Sequence, residues 1–276
     1  MKRLKAAIIF GTKPNFDKDA FMYFILYVNK IQSTYEFCFP DVSSYPFEKE
    51  VVDYNTSPQK VNEFVKENSI VADIFISIIT SSFNNNYFFY ADYHQPSIIT
   101  TDIWDRHLSP PSLFEYLLHS IYSCLIYTQV LPNDTTLTNK QLLIKLDSHN
   151  DTRGCIADFT RQKYDDRIDI ILGYICEEHT NDIKQFYGEG YLNDLQYVIS
   201  RKWIGSIEEK ESAAYNLKHI YKFDINKDSG FNKTLWDKIK AKFYEIPGSL
   251  IAEIIKIILT AFLTYYLIKL GFIDKE

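Results

Sequence analysis

The sequence predicts an α/β protein in which a mixed sheet is layered with helices, with an α+β arrangement as the alternative. Two observations lead to this prediction. Up to about residue 130, short apolar runs of strand character alternate with segments whose apolar residues recur at helical spacing, the order found in layered α/β folds. The run ADIFISIITSSF at 72–83 is also rich in β-branched residues, as in a strand buried on both faces.

The first part of the chain supplies most of the predicted sheet. A short apolar run at 4–12 ends in Gly-Thr and predicts a buried first strand. The segment 18–31 lacks glycine and proline and predicts a helix, and Ser57-Pro58 opens a second helix because proline fits the first helical turn. Further strands are expected at 36–40, at 72–83 and, as an edge strand followed by another strand, within 84–104.

The second part is predicted to be mainly helical. Ser109, followed by two prolines, indicates the start of a strong helix over 109–130. The segment 141–149 fits either a strand or a helix, since periodicity does not separate them for so short a run. Helices are expected at 191–203 and 206–220. The predicted domains are a main α/β domain at 1–221, a linker and basic segment at 222–247, and a C-terminal helix at 248–276.

The C-terminal segment is apolar from residue 250 to residue 273. A helix of that length would measure about 36 Å, which exceeds the thickness of a bilayer core. We therefore expect 248–276 to anchor the chain in a membrane, with the main domain on the cytoplasmic side because lysines precede the helix. The alternative is a cytoplasmic protein whose last helix packs in a homo-oligomer, because three charged residues interrupt the apolar run. These are Glu253, Lys256 and Lys269.

Composition limits the function classes. The net charge of −6 gives no general attraction to nucleic acid, so no nucleic-acid partner is expected. Four cysteines in 276 residues are too few for a disulfide scaffold, and their association with histidines favours a reducing compartment. Cys38 and Cys124 lie in apolar runs and are expected in the core.

Two pairs of histidine and cysteine predict a metal site. His149 and Cys155 are separated by five residues, Cys176 and His179 by two, and the pairs by twenty. Zinc takes four such ligands in a tetrahedron, and chains commonly supply them as two close pairs. Gly154 would let the backbone bend toward the ion. The sequence therefore predicts one zinc held by His149, Cys155, Cys176 and His179.

The spacing resembles that of archaemetzincins, zinc peptidases whose motif is H-E-x-x-H-x-x-G-x-x-H-C-x4-C-x-M, followed by C-x-x-C. His149 precedes Cys155 as the third histidine of the motif precedes its second cysteine, and Cys176 lies where the C-x-x-C begins. The resemblance covers residues 70–180, including the strand, edge strand and strand that precede the active-site helix in that family. It implies a zincin-like fold.

The same resemblance implies that the catalytic residues are missing. Read back from His149, the first two histidines of the motif fall on Asn139 and Leu143 and the glutamate falls on Lys140; no histidine in the chain is followed by glutamate. In the family, four cysteines hold a second, structural zinc, and here Asn150 and His179 occupy the first and last of those positions. The hypothesis is that the catalytic zinc is lost and that His149 completes the structural site.

Two further groups of residues are candidate sites. In the helix over 109–130, Glu115 and His119 lie four apart and could meet His149 as a diverged catalytic set. Asp165, Asp166 and Asp169 resemble paired carboxylates, but the prediction is a solvated helix start. A run of polar and aromatic residues could line a ligand cleft or be the polar rim of an edge strand. Its members are Tyr90, Asp92, His94, Asp102, Trp104, Arg106 and His107.

The function predicted from the sequence is binding or sensing by a zinc-stabilised, non-catalytic module that a C-terminal helix tethers to a membrane. Bacterial toxins and defence effectors often join a sensor domain to a membrane helix, so by analogy we expect an effector role. The alternatives are a diverged zinc-dependent peptidase or hydrolase that uses Glu115, His119 and His149, and a soluble homo-oligomeric interaction protein. The ligand, whether a small molecule or a protein, is not identified by the sequence.

Overall fold

The structure is a computed structural model, and the chain forms two compact units, residues 1–231 and 232–276. The residues that it describes are 3–48, 51–92, 94–128, 148–149, 151–233, 235 and 248–270.

A five-stranded sheet forms the centre of the first unit. The strands of the unit are β1 (Leu4–Phe10), β2 (Tyr35–Cys38), β3 (Val51–Val52), β4 (Ile74–Ile79), β5 (Ser82–Phe83), β6 (Phe89–Tyr90) and β7 (Ser97–Thr100). The sheet has the order β2-β1-β4-β7-β6, and all its neighbours are parallel except the edge strand β6, which is antiparallel to β7. Strands β3 and β5 form a separate parallel pair.

Helices surround and follow the sheet. Those of the first unit are α1 (Lys18–Val28), α2 (Ser57–Glu67), α3 (Leu113–Thr128), α4 (Lys163–Leu172), α5 (Glu177–Tyr187), α6 (Glu189–Ile199) and α7 (Ala213–Ile220), with short 3-10 helices at Arg106–Leu108 and Lys202–Ile204. The predicted α/β class, a mixed sheet layered with helices, is confirmed.

The sheet separates two hydrophobic cores because successive side chains of a strand point to opposite faces. Ile8 of β1 belongs to the larger core, which includes residues of α1 and α3, whereas its neighbour Ile9 packs with α2 and the β3–β5 pair. Burial on both faces explains the nearly continuous apolar sequence of β1 and β4. The larger core continues into α4, α5 and the segment around Cys155, so the sheet supports the region that carries the predicted metal ligands.

Aromatic rings fill the space between α1 and α3. Phe114 of α3 lies 5.4 Å from Phe21 of α1 and 4.5 Å from Phe223, measured between ring centroids. Phe223 and Ile225 are both buried, although they lie in the polar segment 222–247 for which the sequence predicts a linker. Many of the phenylalanine and tyrosine rings therefore belong to the core, where large rings contribute much of the buried apolar area.

Helix α3 begins later than predicted. It starts at Leu113 and not directly after Ser109, because Ser112 and Glu115 form a capping box there. The Ser112 N–H donates to the Glu115 carboxylate at 2.7 Å, and the Glu115 N–H donates to the Ser112 hydroxyl at 3.3 Å. The two prolines after Ser109 lie before this cap. A proline makes helical geometry unfavourable for the residue that precedes it, so the helix does not begin at Ser109.

The helix predicted at 206–220 is also shorter than expected. Only Ala213–Ile220 is helical, because the Ser212 hydroxyl accepts a hydrogen bond from the Tyr215 N–H and so caps the helix at that point. The Ser212 hydroxyl itself donates to the carbonyl of Ser206, which holds the preceding turn. The segment 141–149 is predicted to be either a strand or a helix. Its residues 141–147 lie outside the described residues.

The second unit contains helix α8 (Gly248–Lys269). Within the described part of the chain, no helix has both the length and the apolar character that crossing a membrane requires. The predicted membrane anchor at 248–276 is therefore not supported. Glu253 and Lys256 place two charges in the early turns of α8 and interrupt its apolar sequence.

Gly173, the residue that ends α4, offers a test of how the end of α4 packs against the end of α6. Its φ is +53°, and a Cβ at this position would lie 2.3 Å from the carbonyl oxygen of Ile199. We expect Gly173→Ala to lower the free energy of unfolding by about 1–3 kcal/mol, because alanine is strained in the left-handed region and meets backbone atoms here. Urea denaturation measures the change.

Gly190→Ala is the matched control. Gly190 lies in α6, and a Cβ there would meet no atom within 4 Å. Alanine favours a helix over glycine, so this variant should gain about 0.5–1 kcal/mol. Equal effects of the two substitutions would contradict the described end of α4.

Candidate metal centre

The two predicted pairs of ligands meet in one buried cluster. The ligand atoms of His149, Cys155, Cys176 and His179 all lie within 4.8 Å of one another, and all four residues are buried. His149 Nε2 lies 3.1 Å from Cys176 Sγ, and His179 Nδ1 lies 3.2 Å from Cys176 Sγ and 3.7 Å from Cys155 Sγ. These four residues form a buried metal-binding cluster, as the spacing predicts.

The separations fit a tetrahedral ion. With bonds of about 2.3 Å to sulfur and about 2.0–2.1 Å to nitrogen, the four ligand atoms of a tetrahedral zinc lie about 3.3–3.8 Å apart. The three distances above are within a few tenths of an ångström of that range. The cluster as a whole spans up to 4.8 Å, so its widest pair would draw together by about 1 Å around the ion. Two thiolates and two imidazoles are the ligand types that zinc prefers in closed structural sites, so zinc is the metal that these residues suit.

Helix α5 positions two of the ligands. Cys176 is its N-cap residue, and its sulfur accepts a hydrogen bond from the N–H of His179 at 3.5 Å. His179 is the third residue of the helix, so its ring lies beside the same sulfur. The start of α5 therefore holds two candidate ligand atoms side by side.

A loop closed by Asp158 positions Cys155. One oxygen of the Asp158 carboxylate accepts the backbone N–H groups of Arg153, Gly154 and Cys155, at 2.5, 2.7 and 3.2 Å. Gly154 has a φ of +77°, which allows three successive N–H groups to converge. Such convergent hydrogen bonds to one carboxylate fix the loop from which the Cys155 sulfur projects.

Backbone pairing joins the two halves of the cluster. The His149 N–H donates to the carbonyl of Ala157, and the N–H of Ile156 donates to the carbonyl of Tyr174 at 2.9 Å. The Ser123 hydroxyl of α3 lies within hydrogen-bonding distance, 3.4 Å, of the Ile156 carbonyl. The loop therefore contacts both the segment before α5 and the central helix of the larger core.

The buried sulfur of Cys155 needs an ion to become charged. Burial raises the pKa of its thiol to about 12, so in the absence of metal the thiol keeps its proton at neutral pH. A bound cation displaces that proton, because metals bind the thiolate. The donor set is consequently suited to a tightly held ion in a site that the protein itself encloses.

Glu115 and His119, the alternative catalytic residues, have other contacts. The Glu115 carboxylate accepts a hydrogen bond from Arg201 at 2.7 Å as well as from Ser112. His119 is buried, and burial with the nearby Arg201 charge lowers its pKa to about 3, so the imidazole is neutral. Among the described residues, the metal cluster that contains His149 includes neither Glu115 nor His119.

The residues proposed for a ligand cleft are divided between surface and core. Trp104 is 2% exposed and stacks on Tyr116 of α3 at 4.8 Å, so it belongs to the core and not to a cleft wall. Tyr90 and Asp92 are half-buried, and the Tyr90 hydroxyl lies 3.4 Å from the Asp92 carboxylate. The remaining members are exposed: His94, Asp102, Arg106 and His107. A ligand cleft at this place stays a prediction.

Two aspartates contradict the predicted solvated helix start. Asp166 and Asp169 lie on α4 but are only 8% and 2% exposed. Sequence reasoning also missed Asp158 and the Glu115–Arg201 pair. Asp158 lies three residues after Cys155, next to a glycine turn, and an aspartate at that offset is a signal for a loop closed on its own backbone. Glu115 and Arg201 are 86 positions apart, and no local signal connects them.

Comparison with known proteins adds little to this description. No protein-family model and no curated protein matches the sequence. Among solved structures, the chain is similar to a crystal structure of archaemetzincin from Methanopyrus kandleri, with 9% sequence identity and a TM-score of 0.40 over 68% of this chain and 97% of that chain. Archaemetzincins are the family that the histidine and cysteine spacing resembles. A similarity at this level does not assign the chain to the family.

Metal content tests the cluster directly. We expect the purified chain to contain about one zinc per molecule and Cys176→Ser to lose it, because serine offers no thiolate to complete the tetrahedron. Elemental analysis by mass spectrometry measures the ratio. Cys38→Ser is the control, since Cys38 lies outside the cluster on β2 and its loss should leave the zinc in place.

Asp158 should matter although it is not a ligand. We expect Asp158→Asn to weaken zinc binding about 10- to 100-fold, because the loop that orients Cys155 loses its shared acceptor. Competition with a chromogenic chelator measures the affinity. Asp151→Asn removes an exposed carboxylate of the same loop that pairs with Arg153, and it should change the affinity less than about twofold. Equal losses in both variants would contradict the role given to Asp158.

Proposed function

We propose that the chain is a non-catalytic binding or sensing module whose α/β domain is stabilised by one structural zinc. The observation that supports this most directly is the composition of the cluster, in which two histidines and two cysteines supply four ligands from buried positions. Catalytic zinc sites keep three protein ligands and leave a position for water or substrate. A four-ligand site has no such position, so its zinc stabilises the fold and activates no water.

The surroundings of α3 support the same proposal. A zinc-dependent hydrolase needs a carboxylate that takes a proton from the metal-bound water. Glu115 accepts hydrogen bonds from Arg201 and from its own helix cap, and it is not part of the cluster. His119 would need a second ligand one helical turn later, and that position holds Ser123, whose hydroxyl lies 3.1 Å from the carbonyl of His119.

A structural role predicts what metal removal does. We expect the zinc-free chain to lose at least about 3–4 kcal/mol of unfolding free energy, because an ion that binds only the folded state stabilises it by mass action. Urea denaturation with and without a strong chelator measures this difference. In the same samples, hydrolysis of a mixed peptide library should equal the buffer background whether or not zinc is present.

A catalytic role would give the opposite pattern. Zinc-dependent hydrolysis that Glu115→Gln abolishes, in a chain whose stability is indifferent to chelator, would replace the proposal with the diverged hydrolase. The Cys38→Ser chain serves as the control for both measurements, because Cys38 lies outside the cluster. Association of copies into a homo-oligomer stays a separate prediction, which light scattering of the full chain tests.

A further inference from the structure

The buried face of α4 carries two acidic side chains. Three of its residues are buried, namely Asp166, Asp169 and Ile170. Asp166 and Asp169 are three positions apart and therefore share a face of the helix, which packs against α3. One oxygen of each carboxylate is buried without a hydrogen-bond partner among the described residues. Buried carboxylates without partners are costly when charged and call for an explanation.

The charged groups around this face do not neutralise it. Asp158 of the metal-binding loop and Asp165 of α4 are acidic and act unfavourably on a charged Asp169. On α3, Tyr116 is the titratable group that Asp166 influences, and burial together with that carboxylate raises the pKa of Tyr116.

The cationic or potentially cationic groups with described contacts here are Arg201 and His119, which lie beside α4, and Arg167, which lies on α4 itself. Each has a different role. The Arg201 guanidinium donates to the Ile171 carbonyl and to Glu115. The Arg167 guanidinium donates to the carbonyl of Pro110. His119 of α3 is neutral because burial lowers its pKa to about 3.

Burial therefore favours the protonated form of both carboxyl groups. It raises the pKa of Asp166 to about 7 and, with the nearby Asp158 and Asp166 charges, that of Asp169 to about 8. An unfolded aspartate has a pKa of about 3.9. Each group thus contributes stability that is fully present below the unfolded pKa of about 3.9 and is lost as the pH rises from there through the folded-state pKa.

Helix α4 leads directly into the metal centre. It ends at Gly173, and the next residue, Tyr174, accepts the N–H of Ile156 beside Cys155. Cys176 follows two residues later as a ligand and as the cap of α5. Only three residues separate the end of α4 from the ligand Cys176, so a movement of α4 away from α3 would act on that ligand through a short length of backbone.

We propose that Asp166 and Asp169 form a proton-dependent lock on the metal centre: when both carboxyl groups are protonated, α4 stays packed on α3, and ionisation loosens α4 together with the segment that carries Cys176. At a pH below both carboxyl pKa values, the cluster then holds its ion more firmly than its four ligands alone would. As the pH rises, deprotonation of the thiols ordinarily increases the affinity for zinc. Ionisation of Asp166 and Asp169 over the same range would act against that increase.

Carboxyl titration of the intact wild-type chain is the first test. Carbon-detected NMR of the aspartate carboxyl groups should give two resonances that titrate near neutral pH, well above the other aspartates, and these should vanish from the spectra of Asp166→Asn and Asp169→Asn, respectively. If both carboxyl groups are already ionised at about pH 6, the lock does not exist.

Zinc release is the second test. Asn copies the shape of a protonated aspartate but does not ionise, so the doubly substituted chain D166N/D169N should lack the lock's pH dependence. Between about pH 6 and about pH 9, we expect the ratio of the wild-type release rate to that of the double variant to rise at least about tenfold. A chromogenic chelator in excess reports the rates, and a constant ratio would overturn the proposal.

Asp165→Asn is the matched control. It removes the same charge from the same helix at a position that is partly exposed. Because Asp165 contributes least to the repulsion on Asp169, its loss should change the pH dependence of release far less than the double substitution does. Should the double variant not fold, the two single variants and the wild-type titration decide the question. The carboxyl titration needs no metal, so a chain that proves to bind no zinc would end the proposed function without affecting this result.

Discussion

The structure after α3 depends on a contact between two thiols and two imidazoles that are buried together. His149 and Cys155 enter it from one loop, and Cys176 and His179 enter it from the start of α5. Away from water, these four side chains make few good hydrogen bonds with one another, whereas a single cation binds all four ligand atoms at once. Helices α4 and α5 and the loop closed by Asp158 are arranged around that point, so the ion would act as a crosslink between segments that share little other regular structure.

Local patterns were enough to predict the strands of the central sheet and the ligands, but not the small β3–β5 pair, for which the sequence predicts a polar stretch at Val51–Val52 and the end of a longer central strand at Ser82–Phe83. The apolar runs of β1 and β4 are readable because burial on both faces removes polar residues from a strand. The four ligands are readable because a knuckle such as Cys176–His179 has a fixed spacing that reflects one turn of helix. Each strand and each pair of ligands lies within a dozen residues of sequence, and the structure confirms the strands and the cluster.

Features that arise from tertiary packing were not readable. The aspartates of α4 look like an ordinary solvated helix start in sequence, and only the placement of that helix against α3 makes them buried. The Glu115–Arg201 pair joins residues 86 positions apart, so neither residue alone indicates that the glutamate is engaged. The start of α3 was misplaced because two possible serine caps, Ser109 and Ser112, lie close together, and the glutamate three residues after Ser112 decides between them.

The central claim concerns what surrounds the metal, and zinc K-edge X-ray absorption of the purified full chain measures it most directly. The account predicts two sulfur ligands at about 2.3 Å and two nitrogen ligands at about 2.0–2.1 Å, with imidazole scattering and no bound water. A first shell that contains an oxygen ligand with fewer than two sulfurs would mean an open site, and the closed structural centre on which the account depends would be wrong.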